Sequence, residues 1–404
     1  MKPPLLFLAH RIPYPPNKGD KIRSFHLLRH LARRYRVFLG TFVDDPQDRQ
    51  HIERLDEWCA EHCVRPLRPG RAKLLSLRGL LSGQPLTLPY YRDRSLQRWV
   101  SRVVEREGIR DILIYSSAMG QYVTGPAFQG TRRLTDLVDV DSDKWRQYAG
   151  KKPWPMSWIY RREADRLLAF ERRIGALSDA VFLVSDEEAA LFRKLAPELD
   201  GRIHTLRNGV DLEAFDPEVE HSSPYAPDGH HIVFTGAMDY WPNVDAVVWF
   251  ADEVLPSLRE RFADLQFHIV GSHPAEQVRA LAGRPGVEVT GAVEEIQPWI
   301  AHADVAVAPM RIARGIQNKV LEAMAMARPV VVSPMGLEGI GGRDGEELLV
   351  AEQADEFVAQ VSRVLDGSVD GAALGRAARE KVLRDFAWDT ALPLLDRWFD
   401  GAAA

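Results

Sequence analysis

The chain has 404 residues, 46% of them hydrophobic and 27% charged, with 29 glycines and 26 prolines. That is enough for about two domains with cores of their own, and it excludes a fibre or a wholly disordered chain. The net charge of -5 hides a split: residues 1–208 carry 37 basic and 25 acidic side chains, residues 209–404 carry 15 and 32. The opening MKPPLLFLAHRIPYPP holds too short an apolar run for a signal peptide, and no stretch approaches the roughly 20 apolar residues that span a bilayer.

In chain order, apolar runs bounded by turn residues predict strands at 5–9, 37–42, 111–115, 133–138 and 180–184, then at 231–235, 266–270, 287–290, 305–308, 329–332 and 347–350. Segments of helical period fill the gaps, which is the pattern of strand-helix units on a parallel sheet. The run Glu57–Cys63 reads as helical. Its two cysteines, Cys59 and Cys63, are too few for a disulfide framework or a zinc site and fit a reducing compartment, so a cytoplasmic protein is expected. Between Arg65 and Arg102, nine basic residues face the single acid Asp93 among leucines and Trp99. That mixture suits either an anionic membrane surface or a pair of solvated helices whose leucines join the core. Nucleic acid is disfavoured, because few aromatics interleave with the cations and the chain as a whole is acidic. The polar stretch EVEHSSPYAPDG, 218–229, reads as the linker between two doubly wound sheets.

Ligands of such sheets bind beyond the carboxyl ends of the strands, so the strand-to-helix loops hold the candidates. The first is His10–Asp20, long and proline-stiffened, with His10, Lys18, Gly19 and Asp20 placed to meet an anion or a sugar hydroxyl, or else a plain turn capped by Asp20. The second follows the 231–235 strand at Gly236, a lone glycine without the spacing of a dinucleotide fingerprint. The third, Pro309–Glu322, brings Arg311, Arg314, Gly315, Gln317, Asn318, Lys319 and Glu322 to a helix start. Helical spacing puts Gly315, Asn318, Lys319 and Glu322 on one face. Lys319 could there neutralise a diphosphate while Glu322 accepts hydrogen bonds from a ribose diol, or the two could form an ordinary surface pair. Glu322 lies in the nearly apolar run KVLEAMAMARPVVVS, where a carboxylate needs a partner.

GIQNKVLEAMAMARPVVVS with the following GLEGIGG, together with LVSDEEAALF, RNGVDLEAF and TGAMDYWPNVDAVVWF, resembles family 4 glycosyltransferases of the GT-B fold. The opening residues and LVDVDSDKW resemble more narrowly the sugar transferases associated with PEP-CTERM/exosortase systems, which implies exopolysaccharide assembly. The resemblance implies an α/β architecture of two Rossmann-like, doubly wound parallel-sheet domains facing across a cleft. Residues 1–208 with a returning helix near 386–404 would form the acceptor side, and 209–385 would hold the nucleotide sugar. It also implies closure near Asn208 and Gly209, retention at the anomeric carbon and a glycan or lipid-linked acceptor. The sequence shows no metal-ligating cluster, so no cofactor or metal is expected. Where the family carries two glutamates eight apart, only Glu322 remains, and Arg314 stands at the other position. The family's usual Arg and Lys after the first glycine are missing from AMDYWPN, so Arg311 and Lys319 are the candidates for the diphosphate. In place of its mid-chain His stand Asp139 and Asp141, candidates for contacting the transferred sugar or for strand-end and cap roles. A GT-B nucleotide-sugar 2-epimerase and an inactive scaffold of a polysaccharide complex are the alternatives.

Overall fold

A computed structural model describes residues 2–16, 19–150, 152–313 and 315–401, the side chain of Leu81 excepted. The predicted Lys18 and Arg314 lie outside the described residues. The chain forms two compact units, one of residues 1–207 with 392–404 and one of residues 208–391.

The first unit holds a seven-stranded sheet in the order β3-β2-β1-β4-β5-β6-β7. Its strands are β1 (Pro4–Ala9), β2 (Arg36–Val43), β3 (Cys59–Pro66), β4 (Asp111–Tyr115), β5 (Arg132–Val138), β6 (Ala180–Leu183) and β7 (Ile203–Thr205). The second unit holds a six-stranded sheet in the order β10-β9-β8-β11-β12-β13. Those strands are β8 (His231–Thr235), β9 (Gln266–Val270), β10 (Val287–Gly291), β11 (Val305–Ala308), β12 (Val330–Val332) and β13 (Leu349–Val350). Every strand pair is parallel. Central strands such as Leu5–Ala9 and Ile232–Phe234 are buried on both faces, which is why they read as unbroken apolar runs.

Three expectations are corrected. Glu57–Cys63 is not helical: a 3₁₀ helix ends at Glu57 and Cys59–Pro66 adds an edge strand beside β2. Both cysteines are free, and burial pushes the Cys59 thiol up to about 12, which leaves it unreactive. Residues 218–229 do not separate the units, because the second unit begins at Asn208. Val210 bridges Ala387, and Tyr225 enters the core, stacked on His231 at 4.4 Å with its hydroxyl donating to the Trp299 carbonyl. The returning helix is two short pieces, Trp388–Ala391 in the second unit and Pro393–Phe399 in the first. In the basic segment, helix Arg94–Glu107 turns Leu96, Trp99, Val100, Val103 and Val104 into the core, so only its earlier part keeps leucines exposed. No helix among the described residues is long and apolar enough to cross a membrane.

Beneath the loop after β5, Glu171 is fully buried on helix Met156–Leu177 and accepts from the Ser142 hydroxyl at 2.6 Å and its N–H at 3.2 Å. Burial, then the nearby Asp141 charge, pushes its carboxyl up to about 8. The folded chain therefore binds this proton more tightly than the unfolded chain. The difference costs stability progressively as pH rises from about 4.5 to about 8, by at most ~1.4 kcal/mol per pH unit. Glu171→Gln is expected to flatten the fall in Tm between pH 5 and pH 8; an equal fall in both proteins would refute the assignment.

Candidate functional site

Because β8 and β11 are neighbours, the loops that leave their carboxyl ends lie side by side at the point where strand order reverses. The β8 loop runs through Gly236 to helix Trp241–Trp249, and the β11 loop through Arg311 and Gln317 to helix Asn318–Ala325. Close packing fixes the first turn: a Cβ on Gly236 would lie 2.6 Å from Asn243 Nδ2, and one on Gly271 only 1.6 Å from the Gly236 carbonyl oxygen. Gly315 sits at φ 68°, a conformation glycine adopts freely, and precedes the helix rather than sharing its face.

Lys319 is the centre of this arrangement. Its Nζ donates to Asn243 Oδ1 at 3.0 Å and to Gln317 Oε1 at 3.3 Å and lies 5.1 Å from the centre of the Phe234 ring. Asn243 is itself buried and donates to the Ala237 carbonyl at 3.0 Å, and Gln317 donates to the Gly315 carbonyl at 3.1 Å. Burial pulls the ammonium down to about 8 against the pull of Glu322. Glu322, one turn deeper, takes no hydrogen bond from a described residue through its carboxylate, and burial pushes it up to about 7 against the pull of Lys319. Both side chains keep part of their surface open while surrounded by protein, as groups lining a crevice do. Asn318 Oδ1 is buried there without a partner among the described residues.

Arg311 is differently placed. It forms a two-pronged ion pair with Asp245, at 3.0 and 2.9 Å, and lies over the Trp249 ring. Its charge is already balanced by a partner that sequence reasoning did not weigh. Asn243 and Asp245 went unnoticed, although the argument used for Glu322 applies to them as well: polar groups in the largely apolar Trp241–Phe250 run need partners.

In the first unit, His10 stacks on Tyr115, with Nε2 3.4 Å from Asp20 and Nδ1 buried without a hydrogen-bond partner among the described residues. Asp20 also accepts from Arg11 at 2.6 Å, and Arg11 grips Asp44 as well. Burial opposes the Asp20 charge, yet the hydrogen bond and charge of His10 together with Arg11 hold the carboxyl well below its usual range. A Cβ on Gly19 would meet no protein atom within 4 Å, so packing does not demand glycine there. Asp139 and Asp141 both face Lys144, at 2.7 and 3.3 Å, and Asp141 opens the helix Asp141–Gly150. The structure thus brings Gly236, Gln317, Asn318, Lys319 and Glu322 together in one unit and gathers His10 and Asp20, and separately Asp139 and Asp141, in the other.

Comparison with known proteins bears on both units. A sucrose-phosphate synthase from Thermosynechococcus elongatus superposes with a TM-score of 0.72 at 19% identity, over 100% of each chain. The Anabaena protein HepE in complex with UDP-glucose does so at 0.67 and 12% identity, over 98% of this chain and 99% of that one. The chain has the GT-B α/β fold. Residues 229–367 of this GT-B chain match the family described as Glycosyl transferases group 1. A D-inositol 3-phosphate glycosyltransferase 2 from Catenulispora acidiphila is 27% identical over 244 residues, 56% of this chain and 57% of the relative. The chain spans little more than half the length of the curated relatives it matches.

The environment of Lys319 can be measured directly. Competitive amine labelling read by mass spectrometry is expected to give Lys319 a midpoint near 8. Asn243→Ala, which removes an oxygen that stabilises the cation, should move that midpoint lower still. A Lys319 midpoint near an ordinary lysine's ~10.4 would contradict this description.

Proposed function

We propose that the chain is a retaining glycosyltransferase that moves a hexose from a nucleotide-diphosphate sugar to a hydroxyl of a glycan or lipid-linked acceptor. The observation that carries this reading is the pairing of Lys319 with Glu322 in one crevice, where among the described residues the ammonium is held by two amide oxygens and the carboxylate takes no hydrogen-bond donor. A nucleotide diphosphate supplies both missing partners, an anionic pyrophosphate and a ribose diol. The match to Glycosyl transferases group 1 over residues 229–367, the relative named for transfer to D-inositol 3-phosphate and the UDP-glucose complex of HepE support it. The resemblance to sugar transferases of exosortase systems adds exopolysaccharide assembly as the setting.

In this mechanism the departing diphosphate gains negative charge as the glycosidic bond lengthens. Lys319 stabilises that charge, aided by the N–H groups at the start of helix Asn318–Ala325, which carries no side-chain cap. Glu322 holds the ribose and so fixes the donor. Arg311 reaches the phosphates only by leaving Asp245. No metal is proposed in this chemistry, and turnover is expected to be unchanged by EDTA.

A thermal-shift screen of UDP-, GDP- and other nucleotide sugars should identify the donor, since a ligand at 100 times its Kd stabilises by about 2.7 kcal/mol. Lys319→Ala is expected to lower kcat by about 10² to 10³ with the fold intact, by analogy with loss of one oxyanion-hole donor; an active variant would remove the basis of the assignment. Nucleotide affinity should weaken above pH 8, where the unliganded ammonium loses its proton and binding must take one up. Free nucleotide diphosphate released only in the presence of acceptor distinguishes transfer from epimerisation, and nucleotide-sugar binding with no release under either condition indicates a scaffold.

A further inference from the structure

Two stretches of the first unit are basic without any acid: residues 65–92 carry six Lys and Arg side chains, residues 144–162 another six, and neither holds Asp or Glu. Leu67 and Leu88 are buried, but several other large apolar groups of these stretches stay out of the core. Trp154 is 81% exposed, Leu74 69%, Trp158 55% and Leu77 47%, with Tyr148 and Met156 exposed beside them. Hydrogen bonds from the Arg162 and Glu163 side chains bring the two stretches together. Arg162 donates to the carbonyls of Gly79 at 2.7 Å and Gln84 at 3.2 Å, and the buried Glu163 accepts from the N–H and hydroxyl of Thr87 at 3.0 and 2.7 Å. Leu77 precedes Gly79 by two residues, and Trp158 lies one turn before Arg162 on the same face of its helix. The exposed groups of both stretches therefore flank one junction.

The charges at this junction are also open. Arg71, Lys73, Arg78, Lys152 and Arg161 are exposed, and none forms an ion pair with a described residue. Exposed arginines elsewhere in the unit, such as Arg106 and Arg172, are paired with glutamates. A surface that joins protruding tryptophan and leucine to unpaired cations matches a partner that is negatively charged outside and apolar beneath. We propose that this face docks the chain onto an anionic bilayer, the tryptophans seated at headgroup depth and the lysines and arginines held by lipid phosphates. A symmetric contact with a second copy would set cation against cation. A nucleic acid would call for a groove with ring faces open to stacking bases, whereas here aliphatic Leu74, Leu77 and Met156 share the surface.

The test is flotation of the full chain with vesicles of phosphatidylcholine and phosphatidylglycerol at about 7:3, against vesicles of phosphatidylcholine alone. The chain should float with the anionic vesicles, with a blue-shifted tryptophan emission quenched by brominated lipid, and should be largely released by about 0.5 M NaCl. The double variant Trp154→Ser, Trp158→Ser should lose about tenfold in bound fraction, and Lys73→Glu with Arg78→Glu and Lys152→Glu a similar amount. These side chains support no core, so circular dichroism and Tm are expected to stay unchanged, and nucleotide-sugar binding measured in parallel reports the second unit's site separately. Wild-type protein left at the bottom of the gradient would overturn the proposal. So would a tryptophan variant that floats as well as wild type, or a tryptophan-dependent dimer in light scattering without vesicle binding.

Discussion

The Lys319 ammonium is held between two amide oxygens, those of Asn243 and Gln317, above the ring of Phe234. Amide oxygens replace part of the water that burial removes, but they leave the charge uncancelled. A carboxylate in direct contact would have cancelled it, and Glu322, one turn away, influences the ammonium only through space. Each of the two is driven toward its neutral form, Lys319 downward and Glu322 upward, because neither has a full partner. A ligand with an anion at one end and hydroxyl donors a few ångströms away relieves both penalties at once. A simple phosphate relieves one of them, and a neutral sugar the other. On the proposed reading this is why a nucleotide diphosphate should be preferred to either of its parts.

That arrangement was half visible in the sequence. The central strands could be read because burial on both faces makes them apolar throughout, and Lys319 and Glu322 stood out because an apolar helix cannot hide charge. Their partners could not be read. Asn243 precedes Lys319 by 76 residues and Asp245 precedes Arg311 by 66, and only the pairing of β8 with β11 makes them neighbours. The edges were also obscure. In β3 only Cys59 is buried and Ala60 to Val64 are partly or fully exposed, so the strand lacks the apolar signal that would distinguish it from a helix. β7 has three residues, too few to establish a period. Tyr225 lies in a stretch whose Ser, Pro and Gly content describes its backbone correctly and says nothing of the ring it sends into the core.

The loops of the first unit differ in their electrostatics. Asp20 is met by His10 and Arg11, Arg11 also meets Asp44, and Lys144 spans Asp139 and Asp141. Below them the buried Arg23 and Asp136 form a two-pronged pair at 2.7 and 3.0 Å. Removing one member of such a pair leaves a buried charge behind, so these groups hold the loops in shape whether or not a ligand is present. Charges already paired have little to offer an anionic donor. An acceptor recognised by these loops would be engaged through hydroxyl hydrogen bonds, and the buried Nδ1 of His10, without a partner among the described residues, is the kind of group such a hydroxyl could satisfy.

The basic excess of residues 1–208, 37 cations against 25 acids, is therefore not spent on those loops. Much of it lies in the two acid-free stretches that carry the exposed tryptophans and leucines, whereas residues 209–404, acidic in total, keep one poorly compensated ammonium where the crevice lies. Net charge by half of the chain would point to the first unit for an anion, whereas the proposed reading puts the diphosphate in the second. What distinguishes a site from a surface is desolvation: an exposed lysine attracts anions weakly and over a Debye length, while an ammonium deprived of water and given no counter-charge attracts them at one place. The two kinds of cation in this chain are suited to different tasks. On the proposed readings, one set would hold the protein at a charged boundary and the other would grip a small ligand.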